Sequence, residues 1–194
     1  MLNTSEAEAI SDEEIVILAL ENQDNFVLLI NRYKSKLFNY IRRITSVRDE
    51  DAEDLLQEIF LKVYLNLNDF DPDLKFSSWI YAIARNQVIS QHRRLNARAE
   101  GHSVTLEDDN VNRIISNFNM EKELDNLYLK DKVAKVLYSL PEKYREVLVL
   151  KFLEEKNYQE ISDIIKKPSG TVGSLMNKAK SEFKKELIKQ QIKI

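Results

Sequence analysis

Apolar side chains recur at steps of three and four along most of this chain, and little interrupts them. Phe26, Leu29, Ile30, Tyr33, Leu37, Ile41 and Ile44 form one such stripe, the mark of a long amphipathic helix. Ala52, Leu55, Leu56, Ile59, Phe60 and Val63 form a second. Three glycines and three prolines in 194 residues offer too little turn chemistry for a many-stranded sheet. The chain reads as all-α.

Local signals divide it into two small helical domains. Ser11-Asp12-Glu13-Glu14 is a capping box opening a short helix with Ile15 and Leu18 inward, ending near Asn22. Asp49-Glu50-Asp51 places acids at the start of the next-but-one helix, where the macrodipole favours them. Asp69-Phe70-Asp71-Pro72-Asp73 reads as a loop. Ser77 or Ser78 is then expected to cap a helix with Trp79, Ile80, Ile83 and Ala84 inward, running to about Arg98. The stretch 99–125 has few apolar anchors and reads as a polar linker. Periodicity resumes with Leu124, Leu127, Val133, Val136 and Leu137. Leu140-Pro141-Glu142 breaks that helix and begins another. Two short helices follow across a turn at Lys167-Pro168-Ser169-Gly170. The expected division is 1–98, linker 99–125, and 126–194.

Composition removes several functional classes. The absence of cysteine excludes disulfide frameworks and thiolate metal sites. Two histidines, His92 and His102, are too few for an ordinary histidine metal cluster, so no metal and no cofactor is expected. No apolar run of ~18 residues is present to span a membrane. The acidic start Met1–Glu6 is unlike a signal peptide, so a cytoplasmic location is expected. The net charge of −3 conceals a strong segregation. From Leu74 to Ala99 there is no acid, but there are Lys75, Arg85, Arg93, Arg94 and Arg98. After Asp163 only Glu182 and Glu186 stand against eight lysines. Local basic fields of this kind suit nucleic acid.

Three constellations carry candidate chemistry. Ile161, Ile164 or Ile165, Val172, Leu175 or Met176, and Ala179 have the spacing of a helix-turn-helix, with Ser169 able to cap the second helix. That helix would enter the major groove. A solvated helical hairpin has the same spacing; the basic bias after Asp163 favours DNA. Asp51, Asp54 and Glu58 share one helical face, with Gln57 beside them. They fit a solvated face or, functionally, a docking surface for a basic partner. A Mg²⁺ site or an acid–base pair would need carboxylates converging in a pocket. Trp79 fits an inward stripe, and Phe70 and Phe76 fit core or loop anchors. Aromatics before an acid-free helix also suit single-stranded DNA, with Arg85, Asn86, Gln87, Ser90 and Arg93 as donors.

Asp51-Ala-Glu-Asp-Leu-Leu-Gln-Glu-Ile-Phe60, Phe76-Ser-Ser-Trp-Ile80, Ile83-Ala-Arg-Asn86 and Arg93-Arg94 resemble region 2 of bacterial sigma factors, nearest the extracytoplasmic-function (ECF) group of the sigma-70 family. Leu140-Pro-Glu-Lys-Tyr-Arg-Glu-Val-Leu148, Tyr158-Gln-Glu-Ile161 and Gly170-Thr-Val172 resemble region 4. The resemblance covers about Phe26–Arg98 and Lys130–Leu187. It implies a non-enzymatic partner of core RNA polymerase, meeting the β′ clamp helices and the β flap. Asp51, Asp54, Gln57 and Glu58 would dock on the clamp helices. Asn68, Phe70, Lys75, Phe76, Ser77 and Trp79 would hold an unstacked base of the minus-ten element, and Arg85, Asn86, Arg93 and Arg94 would track its strand. Ser169, Thr171, Ser174, Asn177, Lys178 and Lys180 would meet the minus-thirty-five element. Promoter DNA and an anti-sigma protein are the other implied partners.

One departure stands out. The family commonly carries a basic residue after Gly-Thr-Val and another two positions later; here these are Gly173 and Leu175. Two rivals are a stand-alone helix-turn-helix regulator, which leaves Asp51–Phe60 without a purpose, and a metal-dependent nuclease using Asp51, Asp54 and Glu58, which lacks ligands from distant segments.

Overall fold

The computed structural model describes residues 10–45, 47–98 and 124–190. Eight α-helices occur among them: α1 (Asp12–Glu21), α2 (Phe26–Ile44), α3 (Asp49–Leu65), α4 (Phe76–Arg98), α5 (Leu124–Ser139), α6 (Glu142–Phe152), α7 (Tyr158–Ile165) and α8 (Ser169–Lys189). Single 3-10 turns at Gln23–Asn25 and Leu67–Asp69 precede α2 and follow α3. No strand is assigned among the described residues. The expected linker lies outside them, apart from Leu124 and Asp125, which belong to α5.

α2, α3 and α4 pack on one another, with α1 laid against the start of α2. The predicted stripes are the buried ones: Phe26, Leu29, Tyr33, Leu37, Ile41 and Ile44 on α2, and Ala52, Leu55, Leu56, Ile59, Phe60 and Val63 on α3. Burying each large aliphatic side chain contributes roughly 1.5–3 kcal/mol. Tyr40 and Tyr81, also fully buried, meet at 5.0 Å between ring centres.

Two capping boxes set helix starts. Ser11 Oγ accepts the Glu14 N–H at 3.2 Å while Glu14 accepts the Ser11 N–H at 2.8 Å. Asn157 and Glu160 repeat this reciprocal pair at α7, at 2.9 and 2.7 Å.

Two expected serine caps are not formed. α4 begins at Phe76, so Ser77 and Ser78 lie inside its first turn, and the first amide is capped from another helix: the Phe76 N–H donates to Glu13 Oε1 at 2.9 Å. Ser169 is the first residue of α8 rather than its cap; its hydroxyl donates to Gln159 Oε1 at 3.2 Å, and no side chain caps the helix.

α8 lies across α6 and α7, and α5 rests on α8. The α7–α8 turn is made by Lys166 in the left-handed region at φ 53°, with Ser162 Oγ donating to the Lys167 carbonyl at 2.6 Å. Ile161, Ile164, Val172, Met176 and Ala179 are fully buried where the two helices meet. The two helix groups also pack together, α4 against α7 and α2 against α6, and their buried residues merge into one cluster.

Candidate partner and nucleic-acid interfaces

On α3, the buried stripe dictates what faces out. Asp54, Gln57 and Glu58 are exposed on the opposite side, one to two turns into the helix. Asp51 is half-buried and accepts from Arg48 Nε at 3.1 Å, so the free acidic strip begins at Asp54. Gln87, buried on α4, donates its amide to Glu58 and orients that carboxylate. Among the described residues no group of three or more His, Cys, Asp or Glu side chains is placed to hold a metal ion.

Beyond α3 the chain folds back through Asp71, whose carboxylate accepts the Asp73 N–H at 3.0 Å. Phe70 and Phe76 are buried and anchor this loop. Their rings lie 5.5 Å apart, and both pack against Trp79, at 5.4 and 5.7 Å. Only Trp79, half-buried, keeps a face at the surface. The two buried phenylalanines thus support the tryptophan ring from beneath. Trp79 walls an open pocket of 310 Å³ completed by Lys62, Asn66, Asp69, Ile83 and Asn86. Two of the expected strand contacts, Trp79 and Asn86, are brought together there; Asn68 is exposed nearby on the 3-10 turn. Lys62, Asn66 and Asp69 were missed by the sequence reading. Their signal was the i, i+4 spacing of Lys62 and Asn66 on the last turn before the loop.

The other expected strand contacts are placed differently. Arg93 and Arg94 are exposed near the end of α4. Lys75 reaches Glu160 at 3.0 Å, and Lys156 donates to Ser77 Oγ at 3.2 Å. Arg85 holds Glu146 through two hydrogen bonds, at 2.6 and 3.3 Å. Arg85 and Ser77 are half-buried against the C-terminal helices, while Lys75 stays exposed as it reaches across to them.

On α8, Ser169, Thr171, Ser174, Asn177 and Lys178 are exposed. Ser174 Oγ donates back to the Gly170 carbonyl at 3.0 Å. Lys180 is exposed as well, and its ammonium lies 5.6 Å from the centre of the Phe152 ring. It lines an apolar groove of 350 Å³ with Val133, Leu137, Leu148, Phe152, Leu153 and Phe183. Gly173 is half-buried, and a Cβ added there meets nothing within 4 Å.

Residues 29–98 match the Sigma-70 region 2 family, and residues 130–183 match Sigma-70, region 4. The chain is 31% identical over 174 residues to the ECF RNA polymerase sigma factor SigW of Bacillus subtilis, covering 86% of this chain and 90% of that one. It is 31% identical over 169 residues to the ECF RNA polymerase sigma-E factor of Escherichia coli K12, covering 82% and 84%. Its fold resembles that of CnrH, solved in complex with the cytosolic domain of CnrY, with a TM-score of 0.66 at 21% identity, over 91% and 96% of the two chains. The sigma factor RpoE of Bartonella quintana, solved with the anti-sigma factor NepR, is as similar, with a TM-score of 0.66 at 21% identity over 84% and 96%.

Proposed function

Since the chain belongs to the ECF group of the sigma-70 family, we propose a division of its labour among the surfaces described above. The function itself follows from membership: the protein binds core RNA polymerase and directs promoter-specific initiation. Region 2 occupies 1–98 and region 4 occupies 126–194, tied by the linker 99–125. Tethering gives the two DNA contacts a high effective concentration for each other.

The observation that carries this reading is that one helix bears both an outward acidic strip and a wall of the pocket beside Trp79. α3 presents Asp54, Gln57 and Glu58 outward, and its last turn supplies Lys62 to the pocket beside Trp79. Docking that helix on the β′ clamp helices fixes the pocket relative to polymerase. A base extruded from the minus-ten strand then stacks on Trp79, with Lys62, Asn66 and Asn86 as polar contacts. Unstacking costs a few kcal/mol, which these contacts offset. Arg93 and Arg94 follow the strand backbone. Thr171, Ser174, Asn177 and Lys178 meet the upstream element in the major groove. The chemistry of RNA synthesis belongs to polymerase; this chain supplies no catalytic group. It acts in the cytoplasm, and an anti-sigma protein regulates it.

The test is transcription in vitro with core polymerase and mapped start sites. Absence of promoter-specific initiation and of core binding overturns the reading. Within it, Asp54→Ala combined with Gln57→Ala weakens core binding while the fold survives; unchanged affinity refutes the assigned docking face. A stand-alone helix-turn-helix regulator leaves the region 2 match without a role.

A further inference from the structure

Gln87 is only 4% exposed, on a helix that turns Ile80, Ala84 and Val88 into the core. Arg42 and Ser78 are the other buried polar or charged residues among the described ones. Arg42 is answered by Asp49 at 2.8 Å. Gln87 is answered on one side alone. Its amide nitrogen donates to Glu58 Oε2 across the α3–α4 contact, while its amide oxygen is buried with no hydrogen-bond partner among the described residues. The orientation follows from the partner. An ionised carboxylate only accepts, so the NH2 group faces Glu58 and the oxygen is left facing inward. A buried acceptor without a donor costs stability, and an apolar side chain of the same length carries no such cost. Packing alone would therefore favour methionine or leucine at position 87. What the glutamine supplies instead is a carboxylate held in place at the surface.

Glu58 is exposed and lies on the outward strip of α3, with Asp54 and Gln57. We propose that Gln87 is a positioning residue for core RNA polymerase, setting the Glu58 carboxylate in its docking geometry before the partner arrives. The kind of donor matters. Arg48 also holds a carboxylate, that of Asp51, but its cation offsets the charge it orients. An amide is neutral, so Glu58 keeps its negative charge for a basic partner. A glutamate free on a helix surface must have its torsions ordered when the interface forms; one ordered beforehand binds more tightly. Ordering one such side chain corresponds to about two- to tenfold in affinity. The contact also ties the docking carboxylate to the helix that carries Trp79 and Asn86, two walls of the pocket. Gln87 acts through Glu58, so this inference rests on the docking role proposed for that residue.

The test pairs affinity with stability in the full-length chain. Gln87→Met keeps the length of the side chain and removes the donor; Gln87→Leu takes its place if methionine does not pack. Core polymerase should bind the variant about two- to tenfold more weakly, while its urea midpoint stays at or above that of wild type. A residue that merely stapled α3 to α4 would lose both together. In a Glu58→Ala background the same substitution should change affinity no further, because no carboxylate is left to orient. An equal loss with and without Glu58 overturns the proposal, and so does a fall in the urea midpoint that accounts for the lost affinity. Two outcomes separate this inference from the reading beneath it. If Glu58→Ala weakens core binding and a folded Gln87→Met variant does not, the docking face stands and the positioning role falls. If Glu58→Ala leaves core binding at the wild-type level, Glu58 leaves the docking face and the positioning role falls with it.

Discussion

Replacing Gly173 is the sharpest probe of region 4. The residue sits at the fifth position of α8, between buried Val172 and the half-buried Leu175 turn, in a helix whose start lacks any side-chain cap. Its φ is not positive, and a Cβ would meet nothing within 4 Å. No feature of the fold therefore requires glycine there. Glycine in a helix interior costs up to ~1 kcal/mol relative to alanine. Gly173→Ala should recover most of that, raising Tm by about 2–4 °C in a chain of this size. Thermal unfolding followed by circular dichroism reads the shift, and a fall in Tm, or none, refutes the reasoning. Gly173→Arg separates stability from recognition. Arginine is nearly as good a helix former as alanine, so most of the stabilisation persists. It also places a cation beside Thr171 and Ser174. If α8 lies in the major groove, holoenzyme binding to duplex upstream DNA gains affinity, and its log–log salt slope steepens by about 0.9. A stabilised Gly173→Arg variant with an unchanged slope would mean that this face of α8 points away from DNA.

Three further outcomes follow from the contacts described. Glu13→Ala strips the acceptor from the first amide of α4, costing about 1–2 kcal/mol in urea denaturation, whereas Glu13→Gln keeps an acceptor and costs less. Arg93→Ala with Arg94→Ala should slow open-complex formation and flatten its salt dependence; an unchanged slope would place both arginines in solvent. Burial works to raise the Glu160 carboxyl pKa, but the Asn157 amide and the Lys75 ammonium outweigh it and hold it below its ordinary value of 4.5. A depressed carboxyl pKa contributes stability above that ordinary value and loses it as pH falls further. Thermal melts should therefore weaken more steeply below about pH 4.5 in wild type than in Glu160→Gln; equal slopes would contradict the assignment.

Local pattern carried the helices and most of their inward faces. The stripes on α2 and α3 were legible because 3.6-residue periodicity is set by the backbone alone, and the Ser11–Glu14 box because its partners lie three residues apart. The serine caps at 77, 78 and 169 were misread for the converse reason. The group that caps α4 lies 63 positions away on another helix, and no local rule could find it. The same limit applies to Arg85, Lys75 and Ser77. Residue type marked them as DNA contacts, while their partners on α6, α7 and the connection between them are 61 to 85 positions distant.

The bond from Phe76 to Glu13 has a further consequence. The stretch matched to region 2 begins at residue 29, after α1 has ended. A fragment trimmed to that match keeps Trp79, Asn86 and every other wall of the pocket. It loses the one acceptor that fixes where α4 begins, and with it the packing partner of α2's first turns. Such a fragment should fray at the loop between α3 and α4, although no residue of that loop has changed. The autonomous unit in this protein is bounded by its hydrogen bonds, and it is longer than the unit bounded by likeness.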